Sequence, residues 1–190
     1  ANRAWAVGDG GLVLATVDAG ATWVAHASGV ARLHGVVFAD SLRGLAVGQH
    51  GAIVQSANGG TSWSAVDSGT TAHLRSVALS GSTAWAVGDA GTALRSTDGG
   101  ATWSSVATGV TTRLRAVRFR NANEGWAVGD GGTVLYSANG GASWTVFNTG
   151  NGQDLVDLSV SGTEAAWAVG GGAQVWRLSN VAPTAAQSLS

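Results

Sequence analysis

The pentapeptide Trp5-Ala6-Val7-Gly8-Asp9 returns as Leu45-Ala46-Val47-Gly48-Gln49, Trp85-Ala86-Val87-Gly88-Asp89, Trp126-Ala127-Val128-Gly129-Asp130 and Trp167-Ala168-Val169-Gly170-Gly171. The steps are 40, 40, 41 and 41 residues, and a second landmark, Trp23, Trp63, Trp103 and Trp144, steps by 40, 40 and 41. Two landmarks on one period define a tandem array. Such a chain folds as stacked units that bury their faces against one another.

Each unit reads as four short strands. The first runs from Leu33 to Phe38 and is echoed by Leu74 to Leu79, Leu114 to Phe119 and Leu155 to Val160. The second is the Trp-Ala-Val segment. The third passes through Ile53-Val54-Gln55 and, later, Val134-Leu135-Tyr136. The fourth begins at the landmark tryptophan. Gly-Asp-Gly-Gly pairs between the second and third strands predict two-residue hairpins. No segment carries a sustained 3.6-residue apolar period. A 40-residue unit of four antiparallel strands is the signature of a propeller blade, so the expected fold is an all-β propeller.

Counting strands gives five blades of about 40 residues with an incomplete seam, spanning residues 1–179. The first blade should lack its inner strand and the last its outer strand. Residues 180–190 drop the pattern and read as a linker or tail, of the kind that joins modules in exported bacterial proteins. That points to an extracellular or periplasmic setting within a larger exported protein. The chain starts inside a repeat, so either a targeting segment has been removed or this is a piece of something longer. Unpaired blade edges invite self-association.

The 30 glycines, against one proline, recur in phase with the nine tryptophans and signal repeated tight turns. Ten arginines and no lysine face eleven acidic residues, for a net charge of −1, so no global field draws nucleic acid. No apolar run approaches the ~20 residues of a membrane-spanning helix. Without cysteine there is no disulfide framework or thiolate metal site.

The most specific motif precedes each fourth strand. It reads Thr16-Val17-Asp18-Ala19-Gly20-Ala21-Thr22-Trp23, then Ser56-Ala57-Asn58-Gly59-Gly60-Thr61-Ser62-Trp63. The third and fourth copies are Ser96-Thr97-Asp98-Gly99-Gly100-Ala101-Thr102-Trp103 and Ser137-Ala138-Asn139-Gly140-Gly141-Ala142-Ser143-Trp144. This resembles the Asp box of the bacterial neuraminidase repeat, and with the Trp-Ala-Val-Gly-Asp strand the unit looks most like the Ycf48-like propellers. A short Asp or Asn side chain caps its own turn, glycine supplies the left-handed conformation, and the tryptophan anchors the hairpin in the core. Because Asn58 and Asn139 replace the acid, the structural set Asp18, Trp23, Asn58, Trp63, Asp98, Trp103, Asn139 and Trp144 is read as turn architecture rather than a catalytic centre.

A sialidase-like site, which the Asp box also brings to mind, would need an arginine triad and a tyrosine–glutamate pair. The single tyrosine, Tyr136, lies on a third strand away from the channel, and no convincing pair of acids or metal-ligand spacing is present. The chain is therefore read as a non-enzyme needing no cofactor or metal. Asp9, Asp89 and Asp130 read as turn residues before glycine. The candidate ligand-binding residues sit on or beside the first strands, which should line the channel: His34, Arg75, Arg113, Arg115 and Arg118. Arginine suits bidentate capture of carboxylate or sulfate, and in Ycf48-like proteins an arginine patch is associated with partner binding. The expected function is a binding module for a glycan or protein ligand; the alternative is an assembly scaffold of the Ycf48 type, and a glycosidase is the least favoured reading.

Overall fold

A computed structural model describes residues 2–161, 165–178 and 184–188. These residues form five antiparallel sheets in chain order. The first blade has three strands, β1 (Ala4–Val7), β2 (Leu12–Thr16) and β3 (Val24–Ala27). The second has β4 (Leu33–Phe38), β5 (Gly44–Gly48), β6 (Ile53–Ser56) and β7 (Ser64–Val66). The third has β8 (Leu74–Ser80), β9 (Thr83–Gly88), β10 (Ala93–Ser96) and β11 (Ser104–Ser105). The fourth has β12 (Leu114–Phe119), β13 (Gly125–Gly129), β14 (Thr133–Ser137) and β15 (Thr145–Asn148). The fifth has β16 (Leu155–Ser161), β17 (Ala165–Gly170), β18 (Gln174–Leu178) and β19 (Thr184–Ser188). The all-β propeller architecture and the count of five blades are as the repeat predicts.

The first blade lacks an inner strand, as expected, but the fifth does not lack its outer one. Thr184–Ser188, within the stretch expected as a tail, pairs antiparallel with β18 through Arg177↔Thr184 and Gln174↔Ser188. The reason is that an outer strand is fixed by main-chain pairing, which answers the open edge of β18, and needs no Asp box. The segment 179–183, where the box is replaced, lies outside the described residues.

The hairpins between second and third strands are longer than the two-residue turns expected. In blades two to five each holds one 3₁₀ turn, Gln49–Gly51, Asp89–Gly91, Asp130–Gly132 or Gly171–Ala173. Its centre is left-handed even where it is His50 (φ 53°) or Ala90 (φ 55°). Gly91 has φ 68°, and a Cβ there would lie 2.0 Å from the Val110 carbonyl oxygen, so only glycine lets the 3₁₀ turn close against the outer strand's return.

The core is divided among the four boundaries between successive blades. One cluster (Val13, Leu33, Ala46, Val54) joins blades one and two, and another (Leu45, Ile53, Leu74, Val77) joins two and three. A third (Trp85, Leu114, Val117, Leu135) joins three and four, and the last (Trp126, Leu155, Leu158, Trp176) joins four and five. The inner strands β4, β8, β12 and β16 pack side by side, as expected of strands lining a channel. Among the described residues, no comparable packing joins blade five to blade one. Accordingly Val169 is 43% exposed, although its counterparts Val47, Val87 and Val128 are fully buried.

Tryptophans stitch the boundaries. Trp5 of blade one stacks on Phe38 of blade two at 3.7 Å, and its indole N–H donates to the Gly59 carbonyl at 2.8 Å. Trp85 of blade three stacks on Phe119 of blade four at 3.5 Å and donates to the Gly140 carbonyl at 2.8 Å. The landmark tryptophans are shallower than the expected core anchors: Trp63, Trp103 and Trp144 are half-buried and Trp23 is exposed, because they brace the box from the blade's outer side.

The Asp boxes share one hydrogen-bond scheme. Asp18 accepts from the Thr22 amide at 2.9 Å and the Thr22 hydroxyl at 2.6 Å, and Asp98 does the same with Thr102. Where the residue is Asn, its amide nitrogen donates instead to a serine: Asn58 to Ser62 at 2.8 Å and Asn139 to Ser143 at 2.9 Å. Acid pairs with threonine and amide with serine, and the turn is held in both cases.

Candidate functional site

Four inner strands carry a β-bulge at the same place. Register shifts fall between Leu33 and Gly35, Leu74 and Ser76, Leu114 and Ala116, and Leu155 and Asp157. The extra residue is His34, Arg75, Arg115 or Val156. A bulge re-aims its side chain out of the regular alternation, here toward the end of the following strand. The leading leucine sits opposite a glycine, as in Leu74↔Gly88 and Leu114↔Gly129. A Cβ at Gly88 would come within 2.1 Å of the His73 carbonyl oxygen. That close approach places the next residue, Asp89, beside the bulge.

The result is a row of alternating charge. Arg75 grips Asp89 with two bonds of 2.8 and 2.6 Å. Arg113, from the segment entering the next blade, donates to the same carboxylate at 2.9 Å. Arg115 pairs with Asp130 of its own blade and with Asp154 of the next at 2.9 Å. Arg118 donates to Ser76 at 3.2 Å and lies 3.5 Å from Asp157. The row begins at the other end with Arg32 on Asp9. The hydrogen-bonded Arg75 guanidinium holds the Asp89 carboxyl below its ordinary range, and Asp89 in turn raises Arg75. His34 lies 3.5 Å from Arg75. Burial, with the Arg75 and Arg32 charges, lowers its pKa and favours the neutral imidazole.

His34, Arg75, Arg115 and Arg118 line one groove of ≈ 430 Å³ together with Asp157, while Arg113 stands beside Asp89 outside the groove lining. Sequence reasoning thus assembled the cations but treated Asp89 and Asp130 as mere turn residues and left out Asp154 and Asp157 as their partners. The signal was available: an Arg after the leading leucine and an Asp after Val-Gly in the same repeat become neighbours in an antiparallel pair. Cations already matched by carboxylates make a poor sink for a simple anion. They suit a ligand that presents both signs, and each guanidinium keeps further N–H donors.

The tyrosine–glutamate pair is present but placed elsewhere. Tyr136 donates to Glu124 at 3.2 Å, and Arg120 neutralises the same carboxylate at 2.8 Å. Burial and the Glu124 charge raise the Tyr136 pKa, the opposite of what an attacking phenolate requires. Neither residue lines the groove. Among the described residues, no group of three or more His, Cys, Asp or Glu side chains can hold a metal.

A family model described as photosynthesis system II assembly factor YCF48 matches residues 29–111 and 57–151. Among solved structures, YCF48 bound to D1 peptide superposes with a TM-score of 0.72 at 21% identity, covering 94% of this chain and 60% of that one. YCF48 from Cyanidioschyzon merolae gives 0.66 at 22% identity, covering 83% of this chain and 57% of that one. An ancestral GH74 enzyme gives 0.78 at 18% identity, covering 97% of this chain but 29% of its own length. At these identities the likeness is one of fold. The chain spans about 60% of the length of the first of these neighbours. No curated protein matches the sequence.

Proposed function

Since the chain belongs to the photosynthesis system II assembly factor YCF48 family, we propose that it is a non-catalytic module that binds an extended polypeptide segment along the arginine–aspartate row. The observation that carries this reading is the alternation Arg75–Asp89–Arg113–Asp130–Arg115–Asp154 beside an open groove. A peptide offers carbonyls, amides and charges of both signs at short intervals. It can exchange bonds with such a row one at a time, whereas a polyanionic glycan would meet the carboxylates as well as the guanidinium groups. The solved YCF48 structure with a D1 peptide supports a protein ligand over a glycan for this fold.

The test is a peptide array of mixed-charge and singly charged segments, followed by titration calorimetry on the wild type and an Arg75→Ala/Arg115→Ala variant. Mixed-charge peptides should bind, and the variant should lose at least tenfold in affinity. Equal binding by the folded variant, or preference for sulfated or sialylated glycans, would refute it.

A further inference from the structure

Among the first three boundaries the stitching pattern skips one. Between blades two and three the position of Trp5 and Trp85 is taken by Leu45, and that of Phe38 and Phe119 by Leu79. Trp103 of blade three packs against this boundary's cluster, but no indole reaches across from the second strand of blade two, and among the described residues no side chain donates to the Gly99 carbonyl, the counterpart of Gly59 and Gly140. A second change acts at the same place. The β8–β9 connection is only Gly81-Ser82, whereas 39–43 and 120–124 make longer loops in blades two and four. Those loops cover their boxes: a Cβ on Gly59 would meet the Ser41 carbonyl oxygen at 3.0 Å, and one on Gly140 the Ala122 oxygen at 2.7 Å. A Cβ on Gly99 would meet nothing within 4 Å, although the Gly99 amide still donates to the Ser82 carbonyl at 2.7 Å. A third change concerns Arg95, which donates to the Gly140 carbonyl at 2.7 Å; its counterpart in blade two is the shorter Gln55.

These changes leave a cleft of ≈ 820 Å³, with Leu45 and Leu79 in its apolar floor and Gln55, Asn58, Ser82 and Asp98 among its polar walls. That volume is in the usual range for ligand pockets. We infer that this cleft binds an aromatic side chain, tryptophan or tyrosine, presented by a partner polypeptide. The protein itself supplies the template. At both neighbouring boundaries of this kind the space holds an aromatic ring whose N–H ends on a box glycine carbonyl. Here floor and acceptor remain and the ring is missing. An incoming ring would lie chiefly on the half-buried Leu79, since Leu45 is only 2% exposed, and donate to Gly99, gaining apolar contact and one directed bond. The cleft adjoins the arginine–aspartate groove through Leu79 but shares none of its charged residues, so the two sites would engage different parts of a ligand.

The probe is N-acetyl-5-fluorotryptophanamide, followed by fluorine NMR against the intact chain. Saturable binding is expected, weakened two- to tenfold when the indole nitrogen is methylated, a loss of about 0.5–1.5 kcal/mol for one hydrogen bond. The Leu45→Trp/Leu79→Phe variant, which rebuilds the neighbouring boundaries, should abolish binding. Should that variant fold poorly, Gln55→Arg is the second test, since it places a guanidinium at the same carbonyl; it should weaken binding several-fold. Arg75→Ala/Arg115→Ala should leave the probe's affinity unchanged, which separates this site from the peptide groove. Absence of saturable binding, unchanged affinity in a folded filling variant, or equal binding of a non-aromatic methyl glycoside would overturn the inference.

Discussion

The indole nitrogen of Trp85 donates to the carbonyl of Gly140 at 2.8 Å, across the boundary between the third and fourth blades. One bond and one stacked ring thus tie a second strand to the next blade's Asp box. Trp85 is 1% exposed. Trp85→Ala should cost about 3–5 kcal/mol, as for other fully buried aromatic truncations. Trp85→Phe keeps a ring and loses the indole bond, while the Gly140 carbonyl still accepts from Arg95 at 2.7 Å, so it should cost less, about 0.5–1.5 kcal/mol. Urea unfolding of both variants checks the order; a Trp85→Phe variant as stable as the wild type would mean that the bond contributes nothing.

Asp89 holds Arg75 and Arg113 together. Asp89→Asn should release both guanidinium groups, raising affinity for acidic peptides and lowering it for basic ones. Because the groups are partly solvated, the stability loss should be small, about 1 kcal/mol. Calorimetry with one acidic and one basic peptide, compared before and after the substitution, decides it.

The first Asp box and the loop between β4 and β5 together predict an acid limb in stability. Hydrogen bonds from Thr22 and Thr16 lower the Asp18 carboxyl to about 2, and bonds from Arg43 and Leu42 lower Asp40 to about 2. Both are depressed below the ordinary aspartate value of 3.8, so the unfolded chain binds protons first as the pH falls. Their contribution is complete well above 3.8, and is lost as the pH drops from there through about 2. Melting temperatures between pH 5 and pH 2 should fall, and Asp18→Asn should flatten part of that fall. At neutral pH this variant should melt close to wild type, since Asn58 and Asn139 already close their boxes, whereas Asp18→Ala should melt lower.

Gly88→Ala should be severely felt despite its small size. The added methyl would meet the His73 carbonyl oxygen at 2.1 Å, and that carbonyl already accepts from the Asp89 amide at 2.9 Å. A loss of roughly 1–3 kcal/mol, typical of overpacking, is expected, with weaker peptide binding because Asp89 is carried away from Arg75. Thermal melting and calorimetry on the same variant would show both effects, or neither.

Much of the fold was legible because Trp-Ala-Val-Gly and the box tryptophan return together, and a shared period fixes the order of strands without any knowledge of contacts. The outer strand Thr184–Ser188 was not legible, since its pairing with β18 is made by the main chain and leaves no side-chain signature. The cations Arg75 and Arg115 were found from their place after the leading leucine. Their carboxylate partners were misassigned because an aspartate before glycine has an adequate local explanation as a turn residue, and the bulge that swings Arg75 onto Asp89 is visible only in the register. The cleft between blades two and three was harder still. It arises from Leu45, Leu79 and a short β8–β9 connection, changes that lie in two different repeats and meet only in space.

The contrast between the stitched boundaries and the one between blades two and three also gives the arc a mechanical grain. Where Trp5 and Trp85 cross over, two blades are fastened by a stacked ring and a hydrogen bond and should move as one body. Where Leu45 meets Leu79 that fastening is missing, and side-chain packing, the inner strands and a bond from the His50 amide to His73 hold the neighbours. Stretched between its ends in an optical trap, the arc should yield first at that boundary, parting into a leading pair of blades and a trailing group before any single blade unravels.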